Sequence, residues 1–142
     1  MQAIVNRKAK FDYSFLETYT CGISLKGSEV KSIRVGNVSM VDSYCIFDRN
    51  ELWIKGLNIT PGASSFQHDP LRDKKLLLKK KELRKLEGSL LKGLTIIPIK
   101  IFTNERNLIK IEIALAQGKK NYDKREDIKK RDTERELRRN LI

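Results

Sequence analysis

The sequence predicts a mainly β protein in which an antiparallel sheet closes into a barrel, flanked by short helices and followed by a basic C-terminal tail. Residues 109–115 alternate isoleucine or leucine with other residues, which is the two-residue period of a half-buried strand. Residues 95–102 form a β-branched run, and apolar residues become scarce after Gly118. A short antiparallel sheet of this size usually protects its edges by closing into a barrel.

The strands are predicted in chain order from alternation and turn residues. The first covers residues 13–25, where Gly22 would suit a bulge that curls the sheet. Residues 43–47 and 52–59 are predicted to pair across a hairpin loop at 48–51.

The last two strands, 95–102 and 109–115, are predicted to join through the turn at 103–107. Pro98 lies in the middle of the first of them and has no N–H to donate to a ladder. That strand is therefore predicted to lie at an edge or to be bulged at Pro98.

Two helices are predicted between the strands. The first covers residues 28–34, with Ser28 as the candidate N-cap and Gly36 at the place of a left-handed C-terminal residue. The second covers residues 79–91 and carries four leucines on one apolar face: Leu83, Leu86, Leu90 and Leu91. The long connection at 60–75 has a basic second half, and loops of this length are usually functional or disordered.

The chain carries 30 Lys and Arg against 18 Asp and Glu, a formal net charge of +12 over 142 residues. Such an excess predicts a polyanionic partner, most simply a nucleic acid. Residues 118–142 hold ten basic and six acidic residues, so about a third of the excess lies there. This division predicts two parts, a folded RNA-binding domain at 1–117 and a tail at 118–142.

The tail has too few apolar residues to offset the entropy cost of packing, so it is predicted to be disordered alone. It still carries acid-to-base pairs four residues apart, such as Glu126 with Lys130 and Asp127 with Arg131. These pairs add only about 0.2–0.5 kcal/mol each, which predicts a helix that forms on a partner. A solubilising tail with no target is the alternative.

Several functional classes are excluded by composition. No apolar run is long enough to span a membrane, and the N-terminus lacks a signal-peptide stretch. Two cysteines and one histidine do not make a metal-ligand pattern, and no phosphate-binding glycine loop is present. The acids show no unpaired cluster of the kind that a metal-dependent nuclease needs. The sequence therefore predicts a cytoplasmic RNA-binding protein with no catalytic residues, no metal and no cofactor.

Three segments of residues 1–117 carry cations in patterns that suit RNA. In the first, Phe11 follows three cations and offers a ring for base stacking; a frayed terminus is the alternative. In the second, Lys31 and Arg34 share a helix face, which a merely solvated face would also show. In the third, cations follow His68, a lone histidine that is more often structural than catalytic. The candidates are Asn6, Arg7, Lys8, Lys10, Phe11, Lys31, Arg34, Arg72, Lys74 and Lys75.

A fourth segment marks the junction with the tail. Gly118 supplies a hinge, and Tyr122 is an aromatic residue among cations, which makes it a usable base-stacking platform. A plain linker is the alternative.

Taken in order and spacing, short segments across nearly the whole chain resemble the SmpB family, the SsrA-binding proteins of bacteria. The segments are Asn6-Arg7-Lys8-Ala9, Gly27-Ser28-Glu29-Val30-Lys31-Ser32-Ile33-Arg34, Asp42-Ser43-Tyr44, Asn58-Ile59-Thr60-Pro61, His68-Asp69-Pro70-Leu71-Arg72, Lys75-Leu76-Leu77-Leu78, Gly118-Lys119-Lys120 and Asp123-Lys124-Arg125. The resemblance implies an OB-type barrel that binds the tRNA-like domain of transfer-messenger RNA (tmRNA). It further implies delivery of tmRNA to stalled ribosomes for trans-translation, with elongation factor Tu as an indirect partner through aminoacylated tmRNA.

The resemblance also implies roles for individual residues. Asn6, Arg7 and Lys8 become RNA contacts, and Glu29 takes a structural or RNA-orienting role. The tail is implied to enter the empty mRNA channel of the small ribosomal subunit as a helix, with Tyr122 stacked on a base of ribosomal RNA at the decoding centre. The tail contacts would be Gly118, Lys119, Lys120, Tyr122, Asp123, Lys124, Arg125, Lys129, Lys130 and Arg131.

Two positions depart from the family pattern. Phe11 stands where many members carry histidine, and Thr20 where many carry an acid. Two other functions are compatible with the basic composition, an RNA-processing enzyme on an OB-like platform and a structural protein of the ribosome.

Overall fold

The computed structural model describes residues 2–62 and 68–118, together with residues 125, 129, 131 and 135. Short helices alternate with strands along the chain. In order the elements are β1 (Ile4–Val5), α1 (Arg7–Asp12), β2 (Tyr13–Ile23), α2 (Gly27–Arg34), β3 (Val38–Ser39), β4 (Tyr44–Asp48), β5 (Glu51–Lys55), β6 (Asn58–Ile59), β7 (Lys74–Leu77), α3 (Lys80–Leu91), β8 (Thr95–Thr103) and β9 (Ile109–Gly118). The prediction of a mainly β protein with flanking short helices is confirmed.

Seven strands form one antiparallel sheet in the order β1-β8-β4-β5-β7-β2-β9, and β9 pairs again with β8. The pairings of six strands, from β8 through β4, β5, β7, β2 and β9, therefore return to their starting strand. The remaining strand of this sheet, β1, extends the outer side of β8, and β3 pairs separately with β6. Buried side chains from β2, β4, β5, β7, β8 and β9 meet in the main core, together with Ile33 and Leu86 from the helices.

The hairpin predicted at 43–59 is formed by β4 and β5, whereas residues 58–59, predicted to continue its second strand, form β6 and pair with β3. The two turn residues of the hairpin, Arg49 and Asn50, both have positive φ, at 52° and 65°. Two consecutive left-handed residues match the right-handed twist of the flanking strands, which is why this turn keeps them in register from Tyr44 opposite Lys55 to Asp48 opposite Glu51.

One predicted bulge is confirmed and the other is wrong. The register between β8 and β9 shifts between Pro98 and Lys100, at the residue that lacks an N–H. The bulge predicted at Gly22 lies instead between Phe15 and Glu17. Gly22 serves a different purpose, since a Cβ at that position would lie 3.3 Å from the Cβ of Leu77 on the neighbouring strand. Its missing side chain lets β7 approach β2.

Both predicted helices form, with two corrections. Helix α2 ends before Gly36, whose φ of 84° supplies the left-handed residue that was predicted. Ser28 is inside the helix rather than its N-cap, because the chain enters through Lys26. In α3, Leu86 is fully buried, but Leu91 at the end of the helix is 86% exposed and does not belong to the apolar face.

The two-residue strands β1 and β3 were not predicted, and neither were two longer elements, α1 and β7. Helix α1 has only six residues and buries a single side chain, Ala9, so it shows no apolar period. It is stabilised by packing on a second cluster, which contains Ile97, Ile99, Ala114 and Ala116 on the outer side of β8 and β9. Strand β7 begins at Lys74, inside the basic segment that was assigned to the loop. In the part of the chain described, no helix is long and apolar enough to cross a membrane.

Candidate nucleic-acid interface

Asn6 holds the start of α1 from inside the protein. Its Oδ1 accepts a hydrogen bond from the N–H of Ala9 at 3.2 Å, and its Nδ2 donates to the carbonyl of Pro98 at 2.9 Å. The residue is 7% exposed and its own N–H donates to Ile99. Asn6 is therefore an N-cap that links α1 to β8. With 7% of its surface exposed, it offers little area for the predicted RNA contact, which stays a prediction.

The cations of α1 face outward. Arg7, Lys8 and Lys10 are exposed, whereas Ala9 turns toward the sheet. The Nζ of Lys8 lies 2.8 Å from Oδ1 of Asp42, and this hydrogen bond and charge raise the pKa of the Lys8 ammonium. Both partners are largely exposed, so the pair leaves Lys8 able to meet a phosphate.

Glu29 lies at the centre of a buried polar cluster. Its Oε1 accepts from the N–H of Lys26 at 2.7 Å and from Nη2 of Arg72 at 2.5 Å, and its Oε2 accepts from Nε of Arg72 at 3.2 Å. Burial alone would raise the pKa of Glu29, but the hydrogen bonds from Arg72 and Lys26 and the nearby positive charges bring it below its ordinary value. The carboxylate therefore joins α2 to the segment that leads into β7.

Lys74 completes this cluster and has no exposed side-chain surface. Its Nζ donates to the carbonyl of Leu57 at 2.9 Å and lies 4.0 Å from Oε2 of Glu29. Burial lowers the pKa of Lys74, and the charge of Glu29 opposes that shift. This burial leaves no side-chain surface of Lys74 for the predicted RNA contact, which stays a prediction. The guanidinium of Arg72 donates to Glu29 and to the carbonyl of Ser24.

His68 is structural, as its isolation in the sequence predicted. It is buried, with Nδ1 2.9 Å from the hydroxyl of Ser28 and Nε2 2.7 Å from the carbonyl of Ile59. It therefore ties the loop after β6 to α2, beside the Glu29 cluster.

The two cations of α2 differ in their contacts. Lys31 is exposed. The guanidinium of Arg34 donates to Oδ1 and to the backbone carbonyl of Asn107, at 3.2 and 3.1 Å. Arg34 thus links the end of α2 to the turn between β8 and β9 while its side chain stays on the surface.

A groove of about 870 Å³ lies between the β4–β5 turn, β7 and the first half of α3. Leucines are part of its lining, with Leu77 half exposed and Leu83 partly buried against the core. The lining contains six cations and three acids: Arg49, Lys75, Lys79, Lys80, Arg84 and Lys110, with Glu51, Glu82 and Glu87.

The acids of the groove are partly neutralised by local contacts. Glu51 lies 2.9 Å from Nζ of Lys75, and Oε1 of Glu82 accepts the N–H of Lys79 at the start of α3. Six cations against three acids leave the groove lining with a net charge of +3, which attracts a phosphate backbone.

Most of this groove was missed in the sequence. Lys75 is among the predicted contacts, but Arg49, Arg84 and Lys110 come from a turn, a helix and a strand that only the fold brings together. The available signal was the alternation in β9, where the half-buried Lys110 precedes the buried Ile111.

The tail leaves the sheet beside α1. Gly118, the last residue of β9, pairs with Tyr13, which directly follows α1. Of the predicted tail contacts, Gly118, Arg125, Lys129 and Arg131 are described, and the last three are helical and exposed. The others lie outside the described residues: Lys119, Lys120, Tyr122, Asp123, Lys124 and Lys130.

Comparison with known proteins identifies the family of this chain. The family model for the SmpB protein matches residues 3–142. The chain belongs to the SmpB family. It is 57% identical to the SsrA-binding protein of Cytophaga hutchinsonii, over 96% of this chain and 91% of that one. It is 51% identical to the SsrA-binding protein of Phocaeicola vulgatus, over 94% of this chain and 91% of that one.

A solved structure agrees with the family assignment. A chain described under "tmRNA-SmpB: a journey to the center of the bacterial ribosome" matches with a TM-score of 0.71 and 48% identity, over 84% of this chain and 85% of that one. The match extends the SmpB assignment from sequence to the fold described above.

Proposed function

We propose that this SmpB-family chain is an RNA-binding adaptor that binds the tRNA-like domain of tmRNA and delivers it to stalled ribosomes for trans-translation. Its relatives are named SsrA-binding proteins, and the description of its structural neighbour names tmRNA, SmpB and the ribosome. In this proposal the chain works in the cytoplasm, meets elongation factor Tu only through aminoacylated tmRNA, and performs no catalysis.

The proposed framework is a closed barrel of the OB type. The ring of pairings through β8, β4, β5, β7, β2 and β9 supports closure, because each of these strands has a partner on both sides. OB-type barrels present a sheet face and its loops to oligonucleotides, and the lining of the groove by β7 and the β4–β5 turn is in keeping with this proposal.

The groove carries the proposal for tmRNA. A folded RNA offers closely spaced phosphates beside base or ribose surfaces, and the cations and leucines of the groove lining complement both. The exposed cations Lys79, Lys80 and Arg84 stand within two turns at the start of α3. They are proposed as backbone contacts, with Lys75 and Lys110 on the opposite wall.

The tail is proposed for the ribosome, and α1 lies beside its start. The end of β9 lies beside α1, so Arg7, Lys8 and Lys10 share one side of the molecule with the start of the tail. The proposed division is a barrel at 1–117 that binds tmRNA and a tail at 118–142 that becomes ordered in the mRNA channel. The predicted contacts outside the described residues, including Tyr122, belong to this second part.

A gel-shift assay tests the RNA proposal. We expect the full chain to bind the tRNA-like domain of tmRNA more tightly than a DNA duplex or an unrelated RNA hairpin of equal length. Because each neutralised phosphate releases a counterion, log K should fall linearly with log salt, with a slope of about 0.7–0.9 per phosphate contact. Equal affinity for the three nucleic acids would contradict the proposal, and so would a flat salt response.

Truncation tests the division of labour. A chain that ends at Gln117 retains every contact of the groove, so we expect its affinity for the tRNA-like domain to stay within about twofold, because additivity holds for distant sites. The same chain should fail to support peptide tagging on stalled ribosomes in a reconstituted translation assay. Loss of most tmRNA affinity in this truncate would place essential RNA contacts in the tail.

A further inference from the structure

The tail begins beside α1, and Arg131 of the tail contacts the same helix. Gly118 pairs with Tyr13, one residue after the end of α1. Thirteen residues later, the guanidinium carbon of Arg131 lies 5.2 Å from the centre of the Phe11 ring on α1. Arg131 is helical and exposed, and Phe11 is half-buried.

The described cations by themselves do not explain this contact, although α1 also carries Asp12 and the tail sequence carries six acids. The exposed cations of α1 have the same sign as the tail residues described, Arg125, Lys129, Arg131 and Arg135. Coulomb repulsion between these two sets opposes their approach. An aromatic face, in contrast, attracts a guanidinium within about 6 Å through its quadrupole, and the attraction depends on where the ring stands.

From this geometry we infer that Phe11 and Arg131 are a positioning pair, which holds the helical part of the tail against α1 and sets the direction in which the tail leaves the sheet. The inference rests on the proposed function only for its consequence on the ribosome. There, α1 and the tail would act as one surface, and the pair would favour the tail directions that suit the mRNA channel. An exposed cation–π contact shifts such a population about two- to fivefold, which biases the tail without locking it.

The contact is tested first in the free, full-length protein by NMR. The ring current of Phe11 should displace the side-chain Nε–Hε and δ-methylene signals of Arg131 from their solvent-exposed positions, and Phe11→Leu should remove the displacement. The matched control is Phe102→Leu, which deletes another ring that faces a cation, Nζ of Lys100 at 5.0 Å, on β8. Arg131 signals that stay unchanged in Phe11→Leu would overturn the inference.

A double-variant cycle tests the consequence. Phe11→Leu and Arg131→Gln should each lower peptide tagging about two- to fivefold, and the double variant should be no worse than either single variant. Phe11→Tyr should retain tagging, because it keeps the ring. Independent, multiplicative losses would overturn the pair. So would an equal loss of tmRNA affinity in Phe11→Leu, since Phe11 would then be an RNA contact.

The proposed function and the Phe11–Arg131 pair can be rejected independently of each other. If the wild-type chain does not prefer the tRNA-like domain of tmRNA in the gel shift, the proposed function is rejected. The comparison of Arg131 signals between Phe11→Leu and Phe102→Leu still decides whether the pair exists.

Discussion

Reversing two charges in the groove, Lys80→Glu with Arg84→Glu, is expected to lower the affinity for the tRNA-like domain of tmRNA by about 100-fold or more, because two phosphate contacts become repulsions. Both side chains are exposed on α3 and line the groove. Position 80 is the first residue of α3, where the positive end of the helix dipole favours an acid. We therefore expect the variant to fold. Filter binding at two salt concentrations measures the loss and the change in slope.

A control with the same change of net charge separates the groove from the overall charge. Lys92→Glu with Arg106→Glu removes two exposed cations that lie after α3 and in the turn between β8 and β9, outside the groove lining. Both double variants lower the formal charge from +12 by four units. Similar losses in the two variants would mean that net charge, rather than the groove, determines tmRNA affinity.

Removing the charge of Glu29 is expected to destabilise the fold strongly. Glu29→Gln leaves the buried ammonium of Lys74 without its anion and weakens the link from Arg72 to α2. Breaking a buried ion pair from one side typically costs about 3–5 kcal/mol in the free energy of unfolding, which urea denaturation measures. The double variant Glu29→Gln/Lys74→Met should recover part of the loss, because it removes the unpaired charge.

The matched control for this variant is Glu82→Gln. Glu82 occupies the same helix position in α3, where it accepts a hydrogen bond from the N–H of Lys79. It is only partly buried, and this contact is to a backbone N–H rather than to a buried ammonium. Its loss should be no more than about 0.5 kcal/mol. Equal losses in the two variants would show that helix capping, rather than the buried charge, explains the effect of Glu29.

The pH dependence has a definite sign. The pKa of Glu29 in the fold lies below its ordinary value of 4.5, so the folded state binds the proton less readily than the unfolded state. The stabilisation is therefore complete above pH 4.5 and is lost as the pH falls through the lowered pKa of the folded state. The stability difference between wild type and Glu29→Gln should be constant near neutrality and should shrink in acid.

Local patterns were enough for the elements that carry their own signal. The alternation in β9, the leucine period of α3 and the turn at Arg49 and Asn50 each depend on neighbours in the chain, so they were predicted. Helix α1 and strand β7 carry no such signal. Helix α1 packs on the second cluster, on β8 and β9, and strand β7 forms by pairing with β5 and β2.

The candidate interface divides in the same way. A basic excess, the composition break near Gly118 and the resemblance to SmpB were all present in the sequence alone. What the sequence could not decide was which cations face outward, since Lys74 and Lys75 are neighbours of one type. One side chain enters the core beside Glu29 and the other lines the groove.

The amino-acid sequence by itself determined the family, the mainly β class, the net charge and the place where the tail begins, because composition, period and motif order are properties of the chain. Only the tertiary structure decided that Asn6 and Lys74 are buried and link neighbouring elements through hydrogen bonds. It also decided that six cations from separate elements line one groove and that Phe11 contacts Arg131. Those facts depend on which strands pair and which faces are covered, and residues distant in the chain settle both.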